Sequence, residues 1–317
     1  MARELRSQDV ECSIAQAAAV VGDWWSLLIV REVARGHQRF EDLLNELGIS
    51  RKVLTERLKH LVDHGVLSRE PYQTGPVRHE YVLTDAGWAL APMLITMQDW
   101  ADRWLLGDGA LTGVAGPHSA ESARVHALLD ARIPAPLRLP TTRPDDEHAP
   151  PLRLPTTRPG DEHARPLLDV VADAPVTVLF GYPATGMATS LPPDWEQVPG
   201  ATGCTLENRL FRDRQPEFAA DGIAIRGVST QRPDQQAAFA TAEGIPFPLL
   251  SDMDLHLTAA LRLPTFRAGQ ALRLKRVILV IDRLRTIRHV IFPVVDIPAA
   301  IADSLQAARS VLTSPTR

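Results

Sequence analysis

The sequence predicts two domains in series, α+β in front and α/β behind, joined by a proline-rich spacer. Three observations carry this expectation. At 317 residues the chain exceeds one ordinary domain. Its composition breaks in the middle. Apolar residues recur at helical spacing, followed by a two-strand pattern, before the break, and strand-like and helix-like segments alternate after it.

The apolar and charged fractions, 45% and 23%, are those of a folded globular protein and exclude a chain that is disordered throughout. No apolar run approaches the length of a bilayer span, and the N-terminus, MARELRSQDVEC, lacks the apolar stretch of a signal peptide. A cytoplasmic protein without a membrane partner is the expectation. The net charge of −4 does not advertise nucleic-acid binding, but a helix-turn-helix needs only a local basic face. Cys12 and Cys204 are the only cysteines, which argues against a disulfide scaffold and against a zinc site. No metal or other cofactor is expected.

The break runs from Pro134 to Arg165 and contains a tandem duplication, PLRLPTTRPDDEHAP from Pro136 and PLRLPTTRPGDEHAR from Pro151. The repeat carries prolines at short intervals and no core pattern, so it reads as a semi-extended linker. The expected boundaries are a DNA-binding and dimerisation domain over 1–115, a linker over 116–165 and a second domain over 166–317.

In the first domain a helix is expected over Val10–Val21. A second, WWSLLIVREVARG, is capped by Asp23 and ends at Gly36. Arg39–Leu47 follows, with Phe40, Leu43, Leu44 and Leu47 on one face. Gly48-Ile49-Ser50 makes a turn, and Ser50 caps RKVLTERLKHLVDHG, which turns Val53, Leu54, Leu58 and Leu61 inward. VLSREPY and VRHEYVLT read as strands joined at Gln73–Pro76, and Asp85–Leu105 as one long amphipathic helix. Helix, turn, capped helix and hairpin is the order of a winged helix-turn-helix. Ser50, Arg51, Lys52, Thr55, Glu56 and Lys59 lie on the outward face of the second helix, as phosphate and base-edge partners, with Arg78 and His79 near the wing tip. The bland alternative is a solvated charged face.

Cys12-Ser13-Ile14, VVGDWWSLLIVREVARGHQRFEDLLNEL, GISRKVLTERLKHLVDHGVLSRE and RHEYVLTDAGWAL occur in order, and over Val10 to about Leu105 they resemble the HxlR family of bacterial winged-helix regulators, relatives of the MarR type. The family pattern has proline after the cysteine, where this chain has Ser13. The resemblance implies a homodimer on palindromic operator DNA. Trp88, Leu90, Met93, Leu94, Met97, Trp100 and Trp104 offer either a dimer surface or internal core. Cys12 falls where several family members carry an oxidant-sensing thiol, and a buried structural cysteine is the alternative.

Beyond the linker, DAPVTVLFGYP, a helix opened by Cys204, GIAIRGVST, a helix over Asp234–Glu243, RVILVID and RHVIFPV alternate as in an α/β domain. A cysteine that opens a helix after a glycine-rich turn is placed where backbone amides favour a thiolate nucleophile. FGYP, PGATGCTLENRLFRDR, GVSTQRPDQQAAFATAEGIPFPLLSD, LRLPTF and KRVILVID resemble peroxiredoxins of the bacterioferritin-comigratory type, AhpC/TSA redoxins of thioredoxin-like fold. The resemblance implies that Cys204 is the peroxidatic cysteine and that Arg276 stabilises its thiolate. There are three departures. ATGMATSLPPDWEQV separates Tyr182-Pro183 from the cysteine loop. Ala201 replaces the family threonine, leaving Thr202 or Thr205 as substitutes. Arg209 stands where two-cysteine relatives carry the resolving thiol.

The two cysteines thus occupy the sensing position of one family and the peroxidatic position of the other. The expected function is a redox-responsive transcriptional regulator in which a peroxide or other oxidant acts on Cys204, resolved by Cys12 or a small thiol. A DNA-binding thiol peroxidase is the first alternative, and a regulator whose redoxin domain only binds a ligand is the second.

Overall fold

The protein, seen in a computed structural model, is described over residues 10–105, 115–142, 167–186, 195, 198–268 and 271–313. It forms two compact units, 1–97 and 98–317.

The first unit opens with α1 (Ser13–Val21), α2 (Trp24–Ala34) and α3 (Phe40–Leu47). Asp23 caps α2 by accepting hydrogen bonds from the amides of Trp25 and Ser26, a cap worth about 1 kcal/mol. α3 ends on Gly48 in the left-handed region, φ +61°, and Ser50 caps α4 (Arg51–Asp63) by accepting from the Val53 amide. β1 (Leu67–Thr74) and β2 (Val77–Leu83) pair antiparallel, Leu67 opposite Leu83. Ile29, Leu43, Leu54, Leu58 and Leu61 form the core beneath α4.

The single helix expected over Asp85–Leu105 is two: α5 (Asp85–Trp88) and α6 (Ala91–Trp104). Pro92 has no amide to give, and its ring collides with the carbonyl four residues back, at Trp88. The apolar residues of this stretch divide accordingly. Leu90, Met93 and Leu94 pack on the winged-helix core, while Met97, Trp100 and Trp104 are exposed.

The second unit is built on a five-stranded sheet in the order β11-β10-β5-β6-β7. β5 (Val176–Gly181), β6 (Ile223–Ser229) and β7 (Leu249–Ser251) run parallel, whereas β10 (Val277–Asp282) is antiparallel to both β5 and β11 (Ile287–Ile291). α8 (Cys204–Ala220) and α11 (Ile297–Thr313) pack on each other and on the sheet, and α9 (Pro233–Glu243) packs on β7. α10 (His256–Leu261) and a hairpin of β8 (Thr265–Ala268) and β9 (Ala271–Leu274) precede β10. This is a thioredoxin-like α/β arrangement. Phe180, Phe211, Phe218 and Phe247 fill its core. At Gly227 an added Cβ would fall 2.8 Å from the Phe180 ring, so only glycine lets that ring lie against β6.

The segment expected to begin the linker is folded. Residues 116–142 include α7 (Ala120–His126) and β3 (Arg138–Pro140), which pairs with β4 (Leu167–Asp169). Asp130 and Ile133 donate to the carbonyls of Ile287 and Arg285 along the β11 edge, and Thr142 donates to Leu249 along the β7 edge. The chain therefore straps the sheet from one edge to the other. Four strand spacings amount to about 19 Å, which the eight residues between Ile133 and Thr142 can span. Proline-rich composition concealed this, because Leu137 and Leu139 are each 2% exposed yet stand alone among polar neighbours. The rest of the expected linker, including the second repeat, lies outside the described residues.

If the strap belongs to the domain, Leu139→Ala lowers the unfolding free energy of the C-terminal unit by about 2–5 kcal/mol, whereas Arg138→Ala on the outward face stays within about 0.5 kcal/mol. Denaturant unfolding followed by tryptophan and far-UV signals distinguishes this from a spacer, in which neither change would register.

Candidate functional site

Two sites are described, one in each unit. On the first, the outward face of α4 presents Arg51, Lys52, Thr55 and Lys59, all exposed, behind the Ser50 cap. Each cation already has a carboxylate. Arg51 pairs with both oxygens of Glu41 at 2.8 Å, Lys52 lies 4.0 Å from Glu56, and Lys59 pairs with Asp63. Thr55 donates to the Arg51 carbonyl, so its hydroxyl proton is used within the helix. Arg78 and His79 sit two and three residues past the wing turn, opposite Gln73 and Pro71. Glu32, His37 and Glu46 bring potential ligand atoms within 4.8 Å of one another, but Glu32 already accepts from Arg31 and Arg35. The group reads as an ion-pair network.

On the second unit Cys204 is the first residue of α8, behind Gly203 at φ +98°. A Cβ at Gly203 would fall 2.9 Å from Ile297, so the turn that presents the thiol needs glycine on both counts. Arg276, immediately before β10, donates to the Cys204 Sγ at 3.1 Å and to the carbonyls of Thr202, at 2.6 Å, and Gly200. Its Nε reaches Glu207, one turn along α8, at 3.1 Å. Both side chains of this ion pair are at most 4% exposed.

The site is buried, and burial decides its electrostatics. Desolvation pushes the Cys204 thiol up to about 11; Arg276 and the Ala184 amide oppose this, and the Glu207 carboxylate adds to it. Burial raises Glu207 to about 7 against the pull of Arg276. Burial likewise keeps the Tyr182 phenol protonated, with Gln236 donating to its oxygen at 3.4 Å. Arg273 on β9, also within electrostatic reach of Cys204, is lowered by its own desolvation. The Cys204 thiol donates to the Ala201 carbonyl at 3.4 Å.

Residues 20–108 match the HxlR-like helix-turn-helix family, and residues 198–290 match the AhpC/TSA family. A helix-turn-helix-type transcriptional regulator of Mycobacterium tuberculosis is 43% identical over 93 residues, 29% of this chain and 59% of that protein. The chain thus spans under two thirds of that relative's length. The Bacillus subtilis regulator YvaP is 42% identical over 91 residues, 28% of this chain and 84% of YvaP. The chain belongs to the HxlR-like family of helix-turn-helix transcriptional regulators. Its C-terminal unit is a peroxiredoxin-like domain. Among solved structures, peroxidoxin BcpB of M. tuberculosis is 25% identical, with a TM-score of 0.40, over 55% of this chain and 92% of that one. The redox regulator HypR in its oxidized form is 28% identical, with a TM-score of 0.28, over 29% of this chain and 96% of that one.

Within the peroxiredoxin-like domain, Cys204 and Arg276 are in contact. Thr202 contributes its carbonyl to Arg276, while the residue itself is exposed. Thr205, half-buried on α8, makes no described hydrogen bond to the thiol. Cys12, exposed, is the N-cap position of α1, and both cysteines are free. The reading from sequence missed Glu207 and the Ala184 amide. A carboxylate three residues past a cysteine on a helix lies on the same face, a signal available in CTLE. The amide is set only by the tertiary course of the loop after β5. Arg209, at the position of the absent resolving thiol, pairs with Glu243.

Because the thiol sits near 11, only about one molecule in ten thousand is thiolate at pH 7, and alkylation of Cys204 should accelerate about tenfold per pH unit up to pH 10. Iodoacetamide labelling of the full chain with Cys12→Ser measures it. A rate already level at pH 7 would show a thiolate at rest.

Proposed function

We propose that the protein is a redox-responsive transcriptional regulator. Its HxlR-like domain binds double-stranded operator DNA through α4 and the wing, as a homodimer that uses exposed α6 residues such as Trp100 and Trp104. Its peroxiredoxin-like domain supplies the oxidant-reactive group, Cys204. The observation that carries the reading is the Arg276–Cys204 contact at the start of α8, in a chain without a local resolving thiol.

In the chemistry, the Cys204 thiol gives its proton to solvent as the loop hydrates. The thiolate then attacks the distal peroxide oxygen, the O–O bond breaks, and the leaving oxygen departs as water or an alcohol after protonation. Cys204 becomes a sulfenic acid. Cys12 of the same or the partner chain, or a small thiol, then forms a disulfide with it and releases water. The same Arg276 contact supports the second reading, a thiol peroxidase that also binds DNA. Turnover of peroxide with a thiol reductant, lost in Cys204→Ser, would favour that reading.

Two outcomes test the regulator. On DNA, Lys52→Ala should weaken operator binding and reduce the slope of log K against log salt by about one, while Glu41→Gln, which frees Arg51, should tighten binding. Fluorescence anisotropy at several salt concentrations reads both, and unchanged affinities would remove α4 from the interface. For redox control, peroxide should change operator affinity in the parent and leave Cys204→Ser unaffected. Disulfide mapping under non-reducing conditions identifies the resolving thiol, and oxidised Cys204 beside persistently free Cys12 would exclude Cys12.

A further inference from the structure

Lys275 precedes Arg276 and is 1% exposed, yet its counter-ion comes from outside the region that matches the AhpC/TSA family. Glu121, in the first turn of α7, accepts from Lys275 Nζ at 2.6 Å and is itself 7% exposed. A buried ammonium is tolerated only when paired, and removing one partner strands the other charge in a dry interior. Lys275 and Arg276 are the two residues that join β9 to β10. Arg276 reaches the thiol while its chain neighbour Lys275 is held by Glu121. α7 also grips a second segment near the thiol. His126 donates to the Phe292 carbonyl at 2.7 Å, five residues before Ile297, the side chain that closes on Gly203.

We propose that Glu121 is a positioning residue for the Cys204 site. By holding Lys275 in the interior it fixes the backbone that delivers Arg276 to the sulfur. Without Glu121, Lys275 moves toward water, carries the start of β10 with it and draws Arg276 off the thiol. The groups facing Cys204 are Arg276, Glu207, Arg273, Tyr182 and the Ala184 amide. Of these, Arg276 is the one next to Lys275 in the chain, and it donates a hydrogen bond to the sulfur. Helix α7, in the segment expected to be a spacer, thus sets the reactivity of the thiol. The inference rests on the reading of Cys204 as the reactive group.

The test uses the full chain with Cys12→Ser, following hydrogen peroxide oxidation and iodoacetamide alkylation of Cys204 from pH 6 to 10. Glu121→Ala should slow both reactions about tenfold at each pH and shift the profile about one unit upward, the loss expected when a cationic partner leaves a thiol. Adding Lys275→Met removes the stranded charge and should restore the profile to within about threefold. If Glu121→Ala does not fold, Glu121→Gln, which keeps a hydrogen-bond acceptor but not the charge, is judged by the same criteria. A profile identical to the parent's would overturn the proposal. So would a slowed profile that Lys275→Met fails to rescue, because that pattern belongs to packing alone. If the parent does not react with peroxide, the redox reading fails while alkylation still decides the role of Glu121.

Discussion

Two consecutive buried cations, Lys275 and Arg276, are the constraint around which the C-terminal unit is arranged. Neither can be left bare in a dry interior, so each dictates what stands opposite it. Arg276 draws in Glu207, the carbonyls of Gly200 and Thr202, and the Cys204 sulfur, which shapes the loop and the first turn of α8. Lys275 draws in Glu121, which ties α7 to the sheet. Burial, with the Glu207 carboxylate adding to it, pushes the Cys204 thiol up despite its position at a helix N-terminus beside Arg276. Helix amides and one cation do not outweigh full desolvation plus a neighbouring carboxylate.

The N-terminal unit solves a different problem. Under the proposed DNA-binding role, helix α4 must be soluble alone and still offer cations to a polyanion. Pairing Arg51, Lys52 and Lys59 with Glu41, Glu56 and Asp63 does this at exposed positions, where each pair contributes little to stability and is readily exchanged.

The strap over residues 130–142 has a physical reason of its own. An open five-stranded sheet leaves two unpaired edges. Here one segment caps β11 through Asp130 and Ile133 and β7 through Thr142, while the Arg285 guanidinium grips the carbonyls of Ile133 and Pro134 together with Asp169.

What the sequence determined by itself was whatever depends on neighbours a few residues apart. Ser50 and Asp23 as caps, Gly48 as a left-handed stop, the Leu54–Leu58–Leu61 inner stripe and the cysteine opening α8 are all local, and their spacing announces them. The two-domain reading and both family resemblances stood on such stretches. Only the tertiary structure decided the partners of buried charge and the fate of weakly patterned segments. Nothing around Glu121 says that it will neutralise a lysine more than 150 residues later, or that Leu137 and Leu139, alone among prolines and arginines, close a sheet. Even the thiol, legible as a helix-opening cysteine, takes its protonation state from burial, a property of the assembled core that no local spacing encodes.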